Sequence, residues 1–171
     1  MALPATAELA GDLPREDRKE VLRWVHQAMT RPLPLPGGGS AALWQAEEML
    51  RELYFVTPYP GRPDFLNGSI DVLFQAGGRA HVLDWKTNHL AGYGPEALDE
   101  AVRAHYLLQV QIYAVTACRF LGIRDAGHYE RAFGGIVYVF LRGLPEAGVW
   151  TCRPSWDELG AWERELEALH G

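Results

Sequence analysis

The sequence has little cysteine, no long apolar run and no recognisable N-terminal signal. Cys118 and Cys152 are the only cysteines, and without a C-x-x-C spacing they indicate neither a disulfide framework nor a zinc site. We interpret both as buried free thiols. No apolar run approaches the roughly 18 residues of a membrane span, and no basic-then-apolar segment opens the chain. We therefore expect a cytoplasmic protein with no membrane partner.

Basic residues are also in short supply, and the formal net charge is −6. A domain that binds nucleic acid by bulk electrostatics is usually basic. If this protein handles DNA, it does so at a local site, or a larger partner holds the substrate. The sequence contains no G-x-x-x-x-G-K-[ST] loop and no visible Ser/His/Asp or Cys/His triad, so we expect neither ATP hydrolysis nor a covalent intermediate.

The first third of the 171 residues predicts a helical arm joined to a core. Apolar residues at three- and four-residue spacings predict a helix over residues 14–30. The Pro/Gly-rich stretch 31–40 predicts a connector, so we divide the chain into an arm over 1–36 and a core over 37–171. Ser40 is placed to cap a short helix to about Met49, and residues 52–57 are typical of a strand.

The remainder predicts an α/β fold with a central mixed sheet covered by helices. The predicted elements are a hairpin within 68–88, a long helix over 96–121 closed by Gly122, strands over 134–141 and 148–153, and a last helix to about Leu169, opened by the capping box Ser155 to Glu158. The run 134–141 is almost entirely apolar, which is typical of a central strand buried on both faces.

The predicted hairpin carries a cluster of charge. Gly77-Gly78 is typical of a type I′ turn, which needs positive φ at both central residues. Pairing the strands symmetrically about that turn sets Asp71 opposite Asp84, and the period of two in a strand places Lys86 on the face of Asp84. Two facing carboxylates repel each other unless a cation lies between them. The hairpin therefore predicts a divalent-metal site with a lysine beside it.

The chemistry of such a site follows from its ligand types. Mg²⁺ prefers oxygen ligands, and Mn²⁺ is a substitute; the backbone carbonyl of Trp85 is a further candidate ligand. Glu52 is a third carboxylate if its strand lies beside the hairpin, and otherwise a solvated surface residue. Lys86 is placed to position or deprotonate a water, or to neutralise charge on a phosphate. A D-x-K tripeptide alone occurs often by chance, so the opposed register carries this prediction.

Three motifs, taken in order, resemble a known family. They are Gly68-Ser69-Ile70-Asp71, the sequence DWKTN over 84–88, and Gln109 with Tyr113, which share one helix face. Together they resemble the motifs of the PD-(D/E)xK nuclease superfamily. The segments 105–121 and 133–143 resemble the C-terminal nuclease domains of the RecB family of helicase-nuclease subunits, and the resemblance runs from about Leu22 to the end of the sequence.

The resemblance implies a restriction-endonuclease-like fold whose hairpin carries the active site. It implies that Asp71 and Asp84 are metal ligands, that Lys86 is the catalytic lysine, and that Trp85 contributes its carbonyl. Glu52 resembles the acidic position on the first core strand of the family.

The same resemblance implies that Gln109 and Tyr113 line the site and contact DNA or order the metal-binding groups. Family members also carry a metal-binding histidine on an upstream helix, in a G-T-x-x-H-like context that this sequence lacks. His26 stands in a different context and is not assigned that role. We therefore expect the chain to begin after that helix, as a fragment or a truncated relative.

The implied function is a Mg²⁺-dependent deoxyribonuclease of the exodeoxyribonuclease V type. It would cut single-stranded DNA ends during double-strand-break processing and recombination, with a helicase and the partner subunits of a RecBCD-type complex. One alternative is a catalytically weak or inactive nuclease-like domain that binds a RecA-type recombinase. Another is a metal-binding fold with no role on DNA, which the negative net charge keeps open.

Overall fold

The computed structural model of the protein describes residues 15–58, 65–144 and 146–168. The helices in these residues are α1 (Arg15–Thr30), α2 (Pro95–His105), α3 (Leu107–Phe120), α4 (Ala126–Ala132) and α5 (Trp156–Ala168). The strands are β1 (Leu33–Pro34), β2 (Ser40–Ala41), β3 (Met49–Pro58), β4 (Phe65–Ala76), β5 (Arg79–Lys86), β6 (Phe133–Phe140) and β7 (Val149–Cys152). Short 3₁₀ turns span Leu43–Gln45 and Leu141–Gly143.

The central sheet has five strands in the order β3-β4-β5-β6-β7. β5 and β6 run parallel, and the other neighbouring pairs are antiparallel. β1 and β2 form a separate small sheet. The mixed sheet flanked by helices confirms the predicted α/β class. In the part of the chain that the structure describes, no helix is long and apolar enough to cross a membrane.

Each face of the sheet has its own hydrophobic core. The first core covers one face with helices α2 to α5, and its buried sheet residues are Phe55, Ile70, Leu73, Val82, Phe133, Ile136, Tyr138 and Phe140. The second core covers the other face with α1 and the β1 to β2 segment, and it contains Ala28, Leu33, Leu43, Val72, Phe74, Leu83, Val137 and Val139. Every residue of β6 is buried, which confirms the predicted central strand. Its apolar run supplies side chains to both cores.

The structure confirms the predicted hairpin register. Gly77 and Gly78 have φ of 58° and 72°, as a type I′ turn requires. From this turn the pairs of β4 with β5 run from Ala76–Arg79 to Val72–Leu83. The site at the far end of β5 is thus positioned by a turn that the sequence specifies.

The strand β3 and the hairpin strand β4 share a local distortion at Glu52 and Asp71. The two strands pair on both sides of this point, but Glu52 and Asp71 are not themselves paired. Ile70 and Leu73 both pack in the first core, whereas Val72 packs in the second. Strict alternation would put Ile70 and Val72 on the same face. The face pattern therefore slips by one residue at Asp71.

The predicted short helix from Ser40 to Met49 is wrong. The glycines that follow Pro36 turn the chain back, so that Ser40 pairs with Pro34 in the small sheet and cannot serve as a helix cap. A 3₁₀ turn then buries Leu43 in the second core, and Met49 already begins β3.

The predicted single helix over 96–121 is also wrong, because two helices meet at Tyr106 (φ −128°, ψ 0°). The Tyr106 ring packs edge-on against the rings of Tyr138 and Phe140 on β6. The break therefore brings an aromatic side chain onto the sheet. The predicted C-terminus is confirmed, since Gly122 has φ of 66° and follows the last turn of α3.

The other predicted elements are confirmed where the structure describes them, and β3 extends beyond the predicted strand. In the capping box the Ser155 hydroxyl accepts from the Glu158 N–H, and the Glu158 carboxylate accepts from the Ser155 N–H. Both cysteines are free; Cys118 is buried and Cys152 is half-buried. Pro14 and Leu169 lie outside the described residues. The division of the chain at residue 36 stays a prediction.

Candidate active site

The strand β5 ends with a buried ion pair. Asp84 and Lys86 alternate onto the first-core face, following Val82, and are only 4% and 7% exposed. Lys86 Nζ lies 2.6 Å from Asp84 Oδ2. Burial raises the pKa of Asp84, and the Lys86 charge opposes that rise. The structure thus places these two predicted site residues in direct contact.

The Lys86 ammonium is fixed from several directions. It donates a hydrogen bond of 2.7 Å to Gln109 Oε1 on α3. It also lies 4.1 Å from the ring centroid of Tyr106 and 4.6 Å from that of Tyr138, so both rings interact with its charge. A lysine held in this way keeps one position of Nζ, because each lateral displacement would break one of these contacts.

Gln109 connects this lysine to the rest of the sheet. Its Oε1 also accepts a 3.0 Å hydrogen bond from the Tyr138 hydroxyl, while its Nε2 donates to the Tyr113 hydroxyl at 2.9 Å. The Tyr113 hydroxyl in turn donates to the backbone carbonyl of Ser69 on β4, at 2.8 Å. The ammonium fixes the amide orientation, since a flipped amide would turn its NH₂ group toward Lys86. Burial, and secondarily the charge of Asp84, raise the pKa of Tyr113, so its hydroxyl stays protonated.

Asp71 approaches the site in a different manner from the predicted face-to-face pairing. The ladder of β4 with β5 ends at Val72 and Leu83, one pair short of Asp71 and Asp84. The Asp71 carboxylate instead accepts a 2.9 Å hydrogen bond from the backbone N–H of Trp85. The side chain therefore replaces the missing ladder bond and lies between the two strands.

The Trp85 backbone faces the same gap. In a strand, the N–H and C=O of one residue point to the same neighbour, so the Trp85 carbonyl lies at the β5 edge that faces Asp71. Its indole packs on the opposite side, against the second core. The Trp85 carbonyl and not its side chain therefore faces the gap, and its role as a metal ligand stays a prediction.

Glu52 lies across β4 from this gap. It is exposed, and the register of β3 with β4 puts it opposite Asp71. Its φ of 53° is the only positive value for a non-glycine residue among those that the structure describes. A left-handed residue of this kind costs about 1–3 kcal/mol and is found preferentially at functional sites. Its role as a third carboxylate stays a prediction, since no group of three or more His, Cys, Asp or Glu side chains that could hold a metal forms within the described ranges.

The oxygen atoms at this gap nevertheless suit a hard divalent cation. Asp84 Oδ2 is a buried carboxylate oxygen 2.6 Å from Lys86 Nζ. The Asp71 carboxylate and the Trp85 carbonyl are oxygen donors of the type that Mg²⁺ prefers. The residues present therefore fit a divalent cation with two carboxylates and one carbonyl.

Two tyrosines at the site were missed by the sequence reasoning. Tyr138 lies beside Asp84 in the register of β5 with β6, and Tyr106 lies at the break between two helices. Tyr138 stood inside an apolar run and was interpreted only as part of a buried strand; its hydroxyl was the one polar signal there. Nothing in the sequence indicated that the helix breaks at Tyr106.

The family model described as the PD-(D/E)XK nuclease superfamily matches residues 6–169. The chain belongs to the PD-(D/E)XK nuclease superfamily. This confirms the superfamily that the three motifs resemble, and it agrees with the mixed sheet and flanking helices of the fold.

Relatives within the superfamily include several proteins named RecBCD enzyme subunit RecB. The chain is 41% identical to that of Escherichia coli over 100 residues, which are 53% of this chain and 8% of the relative. It is 39% identical to that of Haemophilus influenzae over 99 residues, with the same shares. For Mycolicibacterium smegmatis the identity is 35% over 126 residues, which are 67% of this chain and 11% of the relative. The matched region is thus a small part of these much longer relatives.

Proposed function

We propose that the chain is a Mg²⁺-dependent DNA nuclease domain that hydrolyses phosphodiester bonds in single-stranded DNA. The observation that carries this proposal is the buried Asp84–Lys86 pair, 2.6 Å apart, which is fixed by Gln109 and lies at the β5 end next to Asp71. A structural ion pair needs no free oxygen ligands beside it, whereas a nuclease of this superfamily needs both a cation site and a lysine.

The cation would be held by Asp71, Asp84 and the Trp85 carbonyl, with Glu52 as a further ligand. When bound, Mg²⁺ or its substitute Mn²⁺ supplies an acidified water and stabilises the charge that develops on the phosphate. The two carboxylates then serve as ligands and no longer repel each other.

Lys86 acts at the water or at the phosphate. Its ammonium is oriented by Gln109, so it can neutralise negative charge on the scissile phosphate or position the attacking water. Gln109 and Tyr113 act by position, because their hydrogen bonds tie α3 to Lys86 on one side and to β4 on the other. Tyr138 supports the same amide oxygen.

The names of the relatives support a role in a larger assembly. Each of the three relatives is named as a subunit of the RecBCD enzyme. By this similarity we propose that the domain works in the cytoplasm with a helicase and partner subunits, on DNA ends that arise at double-strand breaks.

The test is cleavage of an end-labelled single-stranded oligonucleotide, with Mg²⁺ and with EDTA, by the chain joined to the rest of its assembly. We expect Mg²⁺-dependent cleavage by the wild type, and loss of about 2–4 orders of magnitude in Asp84→Ala and Lys86→Ala. The matched controls Asp157→Ala and Lys19→Ala change exposed residues of the same types and should retain full activity. Cleavage that survives Asp84→Ala and Lys86→Ala, or that persists in EDTA, rules the proposal out.

A second candidate is a module that binds a RecA-type recombinase. The observation in its favour is that no group of three or more His, Cys, Asp or Glu side chains that could hold a metal forms within the described residues. A pull-down of the recombinase that succeeds equally with wild type and Asp84→Ala would support binding without cutting. If neither the wild type nor Asp84→Ala binds the recombinase, this second candidate function is ruled out.

A further inference from the structure

Arg142 lies at the same edge of the sheet as the candidate active site. On the parallel strands β5 and β6, Lys86 pairs with Phe140. Arg142 follows two residues later, in the 3₁₀ turn after β6. Ligands of open sheets of this kind bind beyond the carboxyl ends of the parallel strands, which is the edge where both residues lie.

The Arg142 side chain is exposed yet held in place. Its Nε donates a 2.9 Å hydrogen bond to the backbone carbonyl of Thr87, the residue directly after Lys86. Its Cζ lies 4.9 Å from the ring centroid of Trp24 on α1, so the guanidinium interacts with the indole. The contacts come from two different elements, and they fix the plane of the guanidinium in advance.

These contacts leave the outer part of the guanidinium available. Among the residues that the structure describes, neither Nη of Arg142 has a hydrogen-bond or ion-pair partner. By contrast, Arg153 uses its Nη2 in an ion pair with Glu130. A planar pair of N–H donors that is oriented and unpaired matches the geometry of a phosphate group.

Lys86 cannot supply this contact to the flanking backbone. It is 7% exposed, and its charge is already balanced by Asp84. The chain as a whole carries a net charge of −6, which repels a nucleic acid at long range. A substrate strand that reaches the site therefore needs a local cation outside it.

We infer that Arg142 binds a backbone phosphate of the nucleic acid strand next to the phosphate that occupies the active site. This inference rests on the proposed function and adds a specific substrate contact to it. Trp24 and the Thr87 carbonyl act as positioning groups, because they orient the guanidinium and do not themselves reach the phosphate.

The experiment measures the affinity for a fluorescent single-stranded oligonucleotide by anisotropy over a series of salt concentrations, with Ca²⁺ in place of Mg²⁺. We expect Arg142→Ala to weaken binding about tenfold at low salt. We also expect it to reduce the slope of log affinity against log salt by about 0.7, the value for one phosphate contact on a single strand. Arg142→Lys keeps the charge without the planar fork, so it should retain the slope and bind with intermediate affinity.

Arg79 offers a matched control at the other end of the sheet. It is exposed, its Nε also donates to a backbone carbonyl (that of Glu130, at 3.0 Å), and it begins β5 at the end opposite Lys86. Arg79→Ala should leave both the affinity and the slope unchanged. Equal slopes for wild type, Arg142→Ala and Arg79→Ala, or no DNA binding by the wild type, would overturn the inference.

Cleavage assays of the same proteins separate this inference from the proposed function. If the wild type cleaves DNA and Arg142→Ala changes neither KM nor the salt slope, the Arg142 contact is ruled out and the proposed nuclease function stands. Salt-dependent binding that needs Arg142 without any cleavage supports the contact and contradicts the nuclease function.

Discussion

Lys86 combines a positive charge and near-complete burial with an ion pair to the Asp84 carboxylate. Removing one member of a buried ion pair is usually costly, because the remaining charge stays desolvated without compensation. Burial raises the pKa of Asp84, and the hydrogen bond and charge of Lys86 oppose that rise. The lysine therefore has two separable effects, one on the stability of the apo protein and one on the charge state of Asp84.

A double-mutant cycle on this pair tests the first effect. In EDTA, Lys86→Met is expected to lower the free energy of unfolding by about 3 kcal/mol, because Asp84 is left buried and unpaired. Asp84→Asn added to Lys86→Met should recover part of that loss, since the lone charge is then gone. Urea unfolding followed by circular dichroism measures all four proteins. A double variant less stable than Lys86→Met would contradict the account.

At the residue scale, the faces on which the site side chains lie could be predicted wherever a strand or helix keeps its regular period. The alternation of β5 put Asp84 and Lys86 on one face, and the helical period put Gln109 and Tyr113 on another face that meets it. Asp71 escaped that reasoning because it leaves the ladder and bonds to a backbone N–H instead. The assignment of metal ligands among these residues stays a prediction that a measurement of cation binding will test.

At the element scale, the predictions failed where tertiary packing overrides a local pattern. The helical period continues through Tyr106, but the helix breaks at this residue and its ring packs on the sheet. The prediction of the hairpin register was correct because the Gly77-Gly78 turn determines that register. The slip at Glu52 and Asp71 was not predicted, because no residue type in the sequence indicates it. Alternation is a property of undistorted strands, and this sheet is distorted at its candidate site.

The contact of β5 with β6 also contains a buried histidine at its start. His81 is 3% exposed and stacks on Phe74 with ring centroids 5.3 Å apart. Its ring lies directly over Gly134 of β6, where an added Cβ would be 2.0 Å from the His81 Cε1 atom. Burial, together with the nearby charges of Arg79 and Arg153, lowers the pKa of His81 to about 4. The ring is therefore neutral in the folded protein at pH 7.

This histidine predicts a loss of stability in mild acid. The unfolded chain binds a proton at the ordinary pKa of about 6.5, above the folded value, so acidification favours unfolding between these two pH values. From pH 7 to pH 5 the wild type should lose about 2 kcal/mol more than His81→Phe, which keeps a ring on Phe74 but cannot titrate. Urea titrations at both pH values measure the difference. An equal loss in the two proteins would show that His81 is not the group responsible.

At the scale of the whole molecule, the acidity of the chain limits how it can bind DNA, its proposed substrate. The net charge of −6 makes bulk attraction to DNA an unsuitable source of affinity. The sheet instead places Lys86 and Arg142, the two cations of our proposals, at the carboxyl ends of β5 and β6. The matched region covers 8% of the Escherichia coli relative, so we propose that further DNA contacts come from a larger assembly.

The two carboxylates of the candidate site predict how the thermal stability of the molecule responds to a divalent cation. The charge of Asp71 contributes to the raised pKa of Asp84, so a cation between them relieves repulsion that the apo fold tolerates. A ligand that binds only the folded state stabilises it by about 2.7 kcal/mol at a hundred times its Kd. For a chain of this size, that corresponds to a rise in Tm of about 5–10 °C.

The wild type should show this rise on titration with Mg²⁺ or Mn²⁺ and lose it in EDTA. Asp84→Asn should show none, whereas Asp157→Asn, which changes an exposed carboxylate on α5, should behave as the wild type. Equal rises in Asp84→Asn and Asp157→Asn would place the cation elsewhere on the surface.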